Sequence, residues 1–371
     1  MKLPPFHLER YFARWEFAAK HLLCCSDCET VSVAELLAME PGAEEALMGL
    51  RLGYTESPGS PSLRRQIAGM YAGLEPEDVL VFAGAEEAIY LFMQAALGSG
   101  DHAVVHCPCY QSLTEVAAAA GAEVTRWETW EEDGWALDAG ALRGLLKPST
   151  KVVVVNSPHN PTGYHMSEKT LREIVEITEG RGITLFSDEV YRGLEQDPSD
   201  RLPAACDLGE RTVSLGVMSK TYGLAGLRIG WLATRDRGLL SRVAALKDYT
   251  TICSSAPSEL LAEVALRHSE TLSARNRGII ASNLEVLDGF FARHADLFTW
   301  MRPIAGPIAF PRLNRGNVAV FCDDLVRKSG VLLLPGTVYR DVGNHFRVGF
   351  GRAGMPEALE ALEDCLEDLH E

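Results

Sequence analysis

A lysine and an arginine, eight residues apart, are the first candidates for chemistry in this 371-residue chain. Lys220 lies between an apolar, strand-like run and a glycine-rich turn, and Arg228 precedes a second apolar run. Desolvation in a partly dry cleft disfavours an ammonium group, so such a lysine can become a nucleophile. A guanidinium binds oxyanions through two parallel hydrogen bonds. The pair meets the two requirements of pyridoxal phosphate, an imine anchor and a phosphate anchor. An ordinary surface lysine in a loop would show the same local sequence.

Four residues that follow apolar runs could hold the ring of this cofactor. Asp188 could keep the pyridine nitrogen protonated, although a solvated aspartate that caps the next helix would look the same. Asn160 and Tyr191 could hydrogen-bond to the phenolic oxygen, although the sequence that begins at Asn160 is also a good plain turn. Tyr110 could stack on the ring, although an aromatic residue after a strand is more often there for packing.

Two further positions could bind anions. The turn through Gly84 opens a helix, so the backbone N–H groups of Ala85 and Glu86 are free to bind a phosphate. Any tight turn between a strand and a helix shows this pattern, so the signal is weak by itself. Arg347 lies in an apolar, strand-like segment, where a buried guanidinium requires an anion. A substrate carboxylate and a structural salt bridge satisfy that requirement equally well.

The elements that would position these residues alternate between strands and helices. Short apolar strands are predicted at 79–82, 103–106, 123–127, 151–155, 183–187, 212–215 and 227–234. With helices between them, they predict an α/β fold with a mostly parallel sheet covered on both faces. Ligands of such sheets bind at the carboxyl ends of the strands. The candidates at strand ends are Ala85, Tyr110, Asn160, Asp188 and Lys220, which predicts one shared site.

The two ends of the chain do not show this regular alternation of strands and helices. Residues 6–23 and 33–50 show helical spacing, and residues 238–295 are long and helical. Shorter strands follow at 308–310, 331–334 and 345–350, before an amphipathic helix at 356–370. We therefore predict a large α/β domain at 40–275 and a smaller α+β domain formed by 1–39 and 276–371.

Charge and composition restrict the partners. A net charge of −16 argues against nucleic acid and against an anionic membrane surface, since both require basic protein surface. No apolar run approaches the length of a membrane span, about 20 residues. Nine cysteines, an odd number, favour reduced thiols and a cytoplasmic protein, and their unequal clusters do not favour a metal site.

In combination and order, these motifs resemble the class I/II aminotransferases, the fold-type I enzymes that use pyridoxal phosphate. The likeness runs from about Tyr54 to Arg352. Its motifs are Asn160-Pro161-Thr162-Gly163, Ser187-Asp188-Glu189-Val190-Tyr191, Ser219-Lys220 with Arg228, and Arg347. The segments 218–224 and 306–312 look most like a branch that includes capreomycidine synthase.

The resemblance implies a role for each matched residue. Lys220 would form the Schiff base and carry the substrate α-proton, and Asp188 would pair with the pyridine nitrogen. Asn160 and Tyr191 would hydrogen-bond to the phenolic oxygen, while Tyr110 would stack on the ring.

The same resemblance implies the anion contacts. Arg228 and the backbone of Ala85 and Glu86 would bind the phosphate, and Arg347 would bind the substrate α-carboxylate. Family members are dimers with shared active sites, and Tyr54 matches a tyrosine that reaches the cofactor phosphate of the neighbouring subunit.

The chain departs from the family pattern at the phosphate. Val217 replaces a serine that often contacts the phosphate, so we expect Arg228 and Ser219 to take over that contact. Glu86 and Glu87 stand where Ser, Thr or Gln is common. Because a carboxylate repels a phosphate, we expect both side chains to point away.

The leading interpretation is an aminotransferase that acts on an amino acid and keto acid pair. A lyase or a β/γ-replacement cyclase of the capreomycidine synthase type would use the same residues. A non-catalytic regulator is a third class, but the acidic chain has no room for the DNA-binding domain that such proteins carry. We expect the segment 26–32 and the partner subunit to line the substrate pocket. No second arginine marks a dicarboxylate substrate.

Overall fold

The computed structural model describes residues 3–340 and 342–368. Its helices are α1 (His7–Trp15), α2 (Val33–Leu37), α3 (Ala43–Met48), α4 (Pro61–Ala68), α5 (Ala85–Ala96), α6 (Ser112–Ala119), α7 (Ala139–Leu145), α8 (Glu168–Glu179), α9 (Arg237–Lys247), α10 (Ala256–Arg267), α11 (Ser269–Arg293), α12 (Val318–Lys328) and α13 (Met355–Asp368). Its strands are β1 (His21–Leu22), β2 (Val79–Phe82), β3 (His102–Cys107), β4 (Glu123–Glu128), β5 (Thr150–Asn156), β6 (Thr184–Asp188), β7 (Thr212–Val217), β8 (Gly230–Ala233), β9 (Phe298–Thr299), β10 (Ile308–Ala309), β11 (Arg312–Leu313), β12 (Val331–Leu332), β13 (Leu334–Pro335) and β14 (Phe346–Gly349).

A seven-stranded sheet forms the centre, in the order β2-β8-β7-β6-β5-β3-β4. All its neighbouring pairs are parallel except those of β8, which runs antiparallel to both β2 and β7. Strands such as β5 and β7 are apolar and buried along almost their whole length, as expected when helices cover both faces. The predicted α/β fold with a mostly parallel, doubly covered sheet is therefore confirmed. Its strands are within a few residues of their predicted bounds.

The first and last parts of the chain pair with each other in small sheets. Strand β1 pairs with β12, and β14 lies between β10 and β13. The side chain of Asn283 in α11 donates to the carbonyls of Phe350 and Arg352, at 2.9 and 2.8 Å. These contacts are what the proposed second domain requires, and its boundaries remain a prediction.

Two predicted helices near the N-terminus are shorter in the structure. The predicted helix at 6–23 ends at Trp15, and β1 follows it. The predicted helix at 33–50 is divided into α2 and α3 because Pro41 cannot continue a helix and Gly42 adopts a positive φ of 84°. In the described part of the chain, no helix is both long and apolar enough to cross a membrane.

Candidate active site

One cavity of about 360 Å³ lies at the carboxyl ends of the parallel strands. Ten of the predicted site residues line it: Ala85, Glu86, Tyr110, Asn160, Asp188, Tyr191, Ser219, Lys220, Arg228 and Arg347. Eight of them lie at or after the ends of β2, β3, β5, β6 and β7, Arg228 precedes β8, and Arg347 lies in β14. The sheet topology therefore gathers residues that are up to 262 positions apart in the sequence.

The Lys220 amine lies inside this cavity. Its Nζ donates a hydrogen bond to the hydroxyl of Ser26 at 2.9 Å, and it lies 6.0 Å from the centre of the Tyr191 ring. Burial lowers the pKa of Lys220, and the nearby Arg347 lowers it further, whereas Asp27 raises it. A depressed pKa increases the fraction of neutral amine, which is the form that attacks a carbonyl.

Asp188 ends β6 and is buried beside this amine. One carboxylate oxygen accepts from the backbone N–H of Val190 at 3.2 Å. Burial raises the pKa of Asp188 to about 7, while the hydrogen bond from Val190 and the charge of Lys220 lower it. Among the described residues, no cationic side chain lies within 4.0 Å of the carboxylate. The site thus holds a buried acid that is ready to receive a positive partner.

The start of α5 and Arg228 form an anion-binding corner. The backbone before the helix is positioned by Gly84, whose φ of 94° suits glycine. A Cβ at this position would lie 2.6 Å from Nη2 of Arg228, so the guanidinium packs directly against the turn. Arg228 itself adopts a left-handed conformation, with a φ of 52°, which is uncommon for a residue other than glycine. Ser219 lines the same cavity, and so does Val217.

The two glutamates of this corner differ in direction. Glu87 turns away: it accepts from the backbone N–H of Ala83 at 2.7 Å and from the hydroxyl of Thr251 at 2.8 Å. Glu86 lines the cavity and accepts from the hydroxyl of Ser112 at 3.0 Å. Burial raises the pKa of Glu86 to about 7. The expectation that both carboxylates avoid the cavity is thus met by Glu87, whereas Glu86 faces it as a carboxyl that is easily protonated.

A buried network joins Asn160 to Arg347. Nη1 of Arg347 donates to Oδ1 of Asn160 at 3.2 Å and to the Tyr339 hydroxyl at 2.8 Å, and that hydroxyl donates to the same Oδ1 at 3.1 Å. Nε of Arg347 donates to the Cys24 carbonyl at 3.0 Å. These acceptors are uncharged, and no described carboxylate lies within 4.0 Å of the guanidinium. Because the charge of Arg347 is buried without an anion, a ligand carboxylate fits here better than a structural salt bridge.

Tyr110 lies at the cavity mouth, under the N-terminal segment. Its ring is 5.1 Å from that of Phe6, and its hydroxyl donates to Glu9 at 3.3 Å. Tyr54 is the one predicted site residue that this chain does not bring to the cavity. Its side chain is 92% exposed and lies beside the segment 253–257.

The sequence interpretation missed several residues of the site. Helix α1 contributes Leu8, Glu9 and Phe12, its C-terminal cap contributes Glu16, and the loop after β1 contributes Cys25. Ser26 and Asp27 also line the cavity, and they belong to the segment 26–32 that was expected to do so. Tyr339 was also missed, and so was Arg352, which lines the cavity together with Arg228 and Arg347. Both nitrogens of the Arg352 fork donate to Asp27, at 3.0 and 2.8 Å. Glu9 in α1 and Glu16 at its C-terminal cap are spaced seven apart, which is a helical spacing that the sequence contained.

Comparisons with known proteins identify the family. Residues 26–362 match the family described as aminotransferase class I and II. This chain belongs to that family. It is 31% identical to capreomycidine synthase of Streptomyces vinaceus over 374 residues, which cover 99% of this chain and 94% of that protein.

Two solved structures share the fold over nearly the whole length. A PLP-dependent aminotransferase from Streptococcus suis 89-1591 superposes with a TM-score of 0.93 at 32% identity, covering 99% of each chain. The PLP-dependent cyclase OrfR superposes with a TM-score of 0.90 at 33% identity, covering 99% of this chain and 98% of the other.

The cofactor of the family is pyridoxal phosphate, and the cavity fits it. Lys220 offers a partly desolvated amine and Asp188 a buried carboxyl without a cation, which suits a protonated ring nitrogen. Arg228 and the first backbone N–H groups of α5 supply positive potential for the phosphate. When bound, the cofactor draws electrons from the substrate α-carbon.

Proposed function

We propose that this protein is a pyridoxal phosphate-dependent aminotransferase that acts on an amino acid and keto acid pair. The observation that carries the proposal is the convergence of Lys220, Asp188 and Arg347 on one cavity. An amine nucleophile, a buried acid and an unpaired guanidinium are the groups needed to anchor a cofactor and to orient an α-amino acid.

Each residue of the cofactor half has a proposed role. Lys220, which lines the cavity, anchors the cofactor and moves the substrate α-proton. Asp188 pairs with the ring nitrogen. Because Arg347 and Tyr339 already donate to Oδ1 of Asn160, its Nδ2 is the atom left to donate to the phenolic oxygen. Tyr191 is the second donor to that oxygen.

The remaining roles concern the phosphate, the substrate and the oligomer. Arg228, Ser219 and the backbone of Ala85 and Glu86 hold the phosphate, while Tyr110 stacks on the ring. Arg347 and Asn160 position the substrate. We further propose a cytoplasmic homodimer in which the exposed Tyr54 reaches the phosphate of the partner subunit.

The test is the half-reaction of the cofactor-loaded protein with single amino acids. Transamination should convert the visible absorbance of the bound aldehyde form to the near-ultraviolet absorbance of the amine form and release one keto acid per site. A protein that gives neither signal with any amino acid would contradict the proposal. The variant Lys220→Ala should give neither signal. Lys147→Ala, which changes a lysine outside the cavity, is its matched control.

A second candidate is a lyase or a β/γ-replacement cyclase. It is favoured by the likeness to capreomycidine synthase and to OrfR over almost the whole chain. The same residues serve both reactions, since the outcome depends on which substrate bond is aligned with the ring. Mass spectrometry and the cofactor spectrum separate the two candidates: a cyclised product, or free ammonia released while the cofactor keeps its aldehyde form, would favour the second.

A further inference from the structure

Helix α1 forms an acidic roof over the outer part of the cavity. Glu9, Phe12 and Glu16, spaced by three and four residues, share one helix face and line the cavity together with Leu8. Glu9 is exposed at the mouth and Glu16 is half-buried. If this face did not line the cavity, its two carboxylates would form an ordinary solvent-exposed helix surface.

Several contacts hold this face of α1 against the cavity. The Tyr11 hydroxyl donates to the carbonyl of Leu333 at 2.9 Å, and the backbone N–H of His7 donates to Oε1 of Gln111 at 2.8 Å. Leu8 is buried, and the Phe12 ring lies 6.0 Å from Cζ of Arg347. The helix face that carries both glutamates therefore lines the same cavity as Arg347.

The proposed roles of the cations that line the cavity leave none of them to pair with these two glutamates. In the proposed function, Arg228 is assigned to the phosphate, Asp188 to the ring nitrogen, Lys220 to the Schiff base and Arg347 to the substrate carboxylate. Arg352, the remaining cation of the lining, is held by Asp27 through two hydrogen bonds.

Glu9 and Glu16 have no such cation. Within residues 3–340 and 342–368, no Lys, Arg or His nitrogen lies within 4.0 Å of either carboxylate. Burial raises the pKa of Glu16, and the negative charge of Glu9 raises it further, although Arg352 lowers it. A cation placed between the two carboxylates would relieve their mutual repulsion.

We propose that the substrate is an amino acid with a positively charged side chain, a guanidinium or an ammonium, which binds under Glu9 and Glu16. This inference rests on the proposed function, because it takes the α-carboxylate to be on Arg347. It excludes a dicarboxylate substrate, since the one additional arginine at the cavity is neutralised by Asp27. Seven residues of helix span about 10 Å, so the two carboxylates can follow a long side chain towards the mouth.

The experiment compares charged amino acids with neutral amino acids of similar shape. Binding to the cofactor-loaded protein is measured by calorimetry, and the half-reaction by absorbance, for arginine against citrulline and for lysine against norleucine. The comparison of arginine with lysine shows whether a guanidinium or an ammonium is preferred. We expect at least one cationic amino acid to bind about tenfold or more tightly than its neutral counterpart, with a preference that decreases at high salt.

The variants Glu9→Gln and Glu16→Gln and the double variant test whether these two glutamates cause the preference for a cationic amino acid. The double variant should lose most of the preference for the cation, keep its affinity for citrulline and norleucine, and keep the cofactor spectrum. Glu44→Gln, at an exposed site on α3, is the matched control. Equal binding of charged and neutral amino acids by the unchanged protein would overturn the inference, as would tighter binding of glutamate or aspartate.

The two proposals fail in different ways. If no amino acid gives the half-reaction, the proposed function fails, while the calorimetric comparison still tests the roof. If neutral or acidic amino acids react best, the proposed function stands and the inference about the side chain is wrong.

Discussion

The cofactor half and the substrate half of the cavity differ in the elements that build them. Asp188, Lys220 and the start of α5 stand at the ends of strands in one rigid sheet. The substrate half comes from α1, from the loop 25–27 and from β14, which are held by side-chain hydrogen bonds and small sheets. A sheet edge gives fixed positions for a cofactor that every member of a family shares. Helix faces and loops can change their charge without disturbing those positions.

The two halves also differ in how their charges are balanced. Asp188 is buried, and no cationic side chain of the described residues lies within 4.0 Å of its carboxylate, so a ligand can supply the positive charge. On the substrate side, Asp27 and Arg352 balance each other, whereas Glu9 and Glu16 do not. We expect from this difference that the cofactor half is complete only with its ligand, and that the charge of the substrate half selects the side chain.

The largest expected effect belongs to the cofactor half. Lys220→Ala should abolish the visible absorbance of the Schiff base and lower the turnover of any amino acid by about 10³-fold or more, because both the anchor and the proton carrier are lost. Absorbance spectra and steady-state rates measure the two effects. A variant that retained both signals would show that another amine does this work, and would revive a non-catalytic role for the lysine.

Asp188→Asn tests the uncompensated acid of the cofactor half. Burial raises its pKa from 3.8 to about 7, so the folded cofactor-free protein keeps a proton that the unfolded chain releases above about pH 4. Retaining this proton adds up to about 4 kcal/mol to the free energy of unfolding. The contribution is complete below about pH 4 and decreases as the pH rises to about 7.

The variant should therefore flatten the loss of stability between pH values of about 4 and 7. Chemical denaturation of the cofactor-free protein across this range gives the measurement. Burial also raises the pKa of Glu86, so this residue makes stability decrease with rising pH in the same way, and part of the slope will remain. An unchanged slope in Asp188→Asn would mean that Asp188 is already ionised without the cofactor.

Arg347→Lys tests the proposed binding of the substrate carboxylate by Arg347, which lies between the two halves of the cavity. A lysine cannot form the paired hydrogen bonds of a guanidinium, so the KM for amino acids should rise about 10²-fold. The spectrum of the resting cofactor should change little. If kcat fell and KM stayed constant, Arg347 would instead act on the reacting groups.

Asp27→Asn tests the charge balance of the substrate half. Removing the carboxylate frees the guanidinium of Arg352, which adds a positive charge to the cavity. Acidic amino acids should gain about tenfold in kcat/KM relative to cationic ones. Restored preference in the double variant Asp27→Asn, Arg352→Gln would assign the change to Arg352. No shift in either variant would show that this pair has a structural role only.

Tyr110→Phe should have the smallest effect. The change removes the hydrogen bond to Glu9 and keeps the ring, so the affinity for the cofactor should change less than about tenfold. Equilibrium dialysis of the cofactor gives the measurement. A greater loss would mean that the hydroxyl group contacts the cofactor itself.

The sequence predicted the cofactor half because that half depends on local patterns. An apolar run followed by Asp188 or by a small-residue turn is visible within ten residues, and parallel topology brings such positions together. The antiparallel direction of β8 was not visible, because alternation of side chains carries no information on strand direction. The roof was missed because Glu9 and Glu16 look like any solvated helix face until tertiary contacts dock α1. Tyr339 was missed for a similar reason, since its partners are Asn160 and Arg347, which are distant in sequence.

The amide oxygen that Asn160 shares with Arg347 and Tyr339 has a thermodynamic consequence. In the roles proposed above, one group would take part in holding both the cofactor ring and the substrate carboxylate, so binding of either ligand would change the hydrogen bonds offered to the other. The two binding equilibria are therefore linked, and by reciprocity the cofactor must alter the affinity for a carboxylate by the factor by which that carboxylate alters the affinity for the cofactor. A simple carboxylic acid, which lacks the amine needed for any reaction, should thus be enough to change how tightly this protein retains its cofactor.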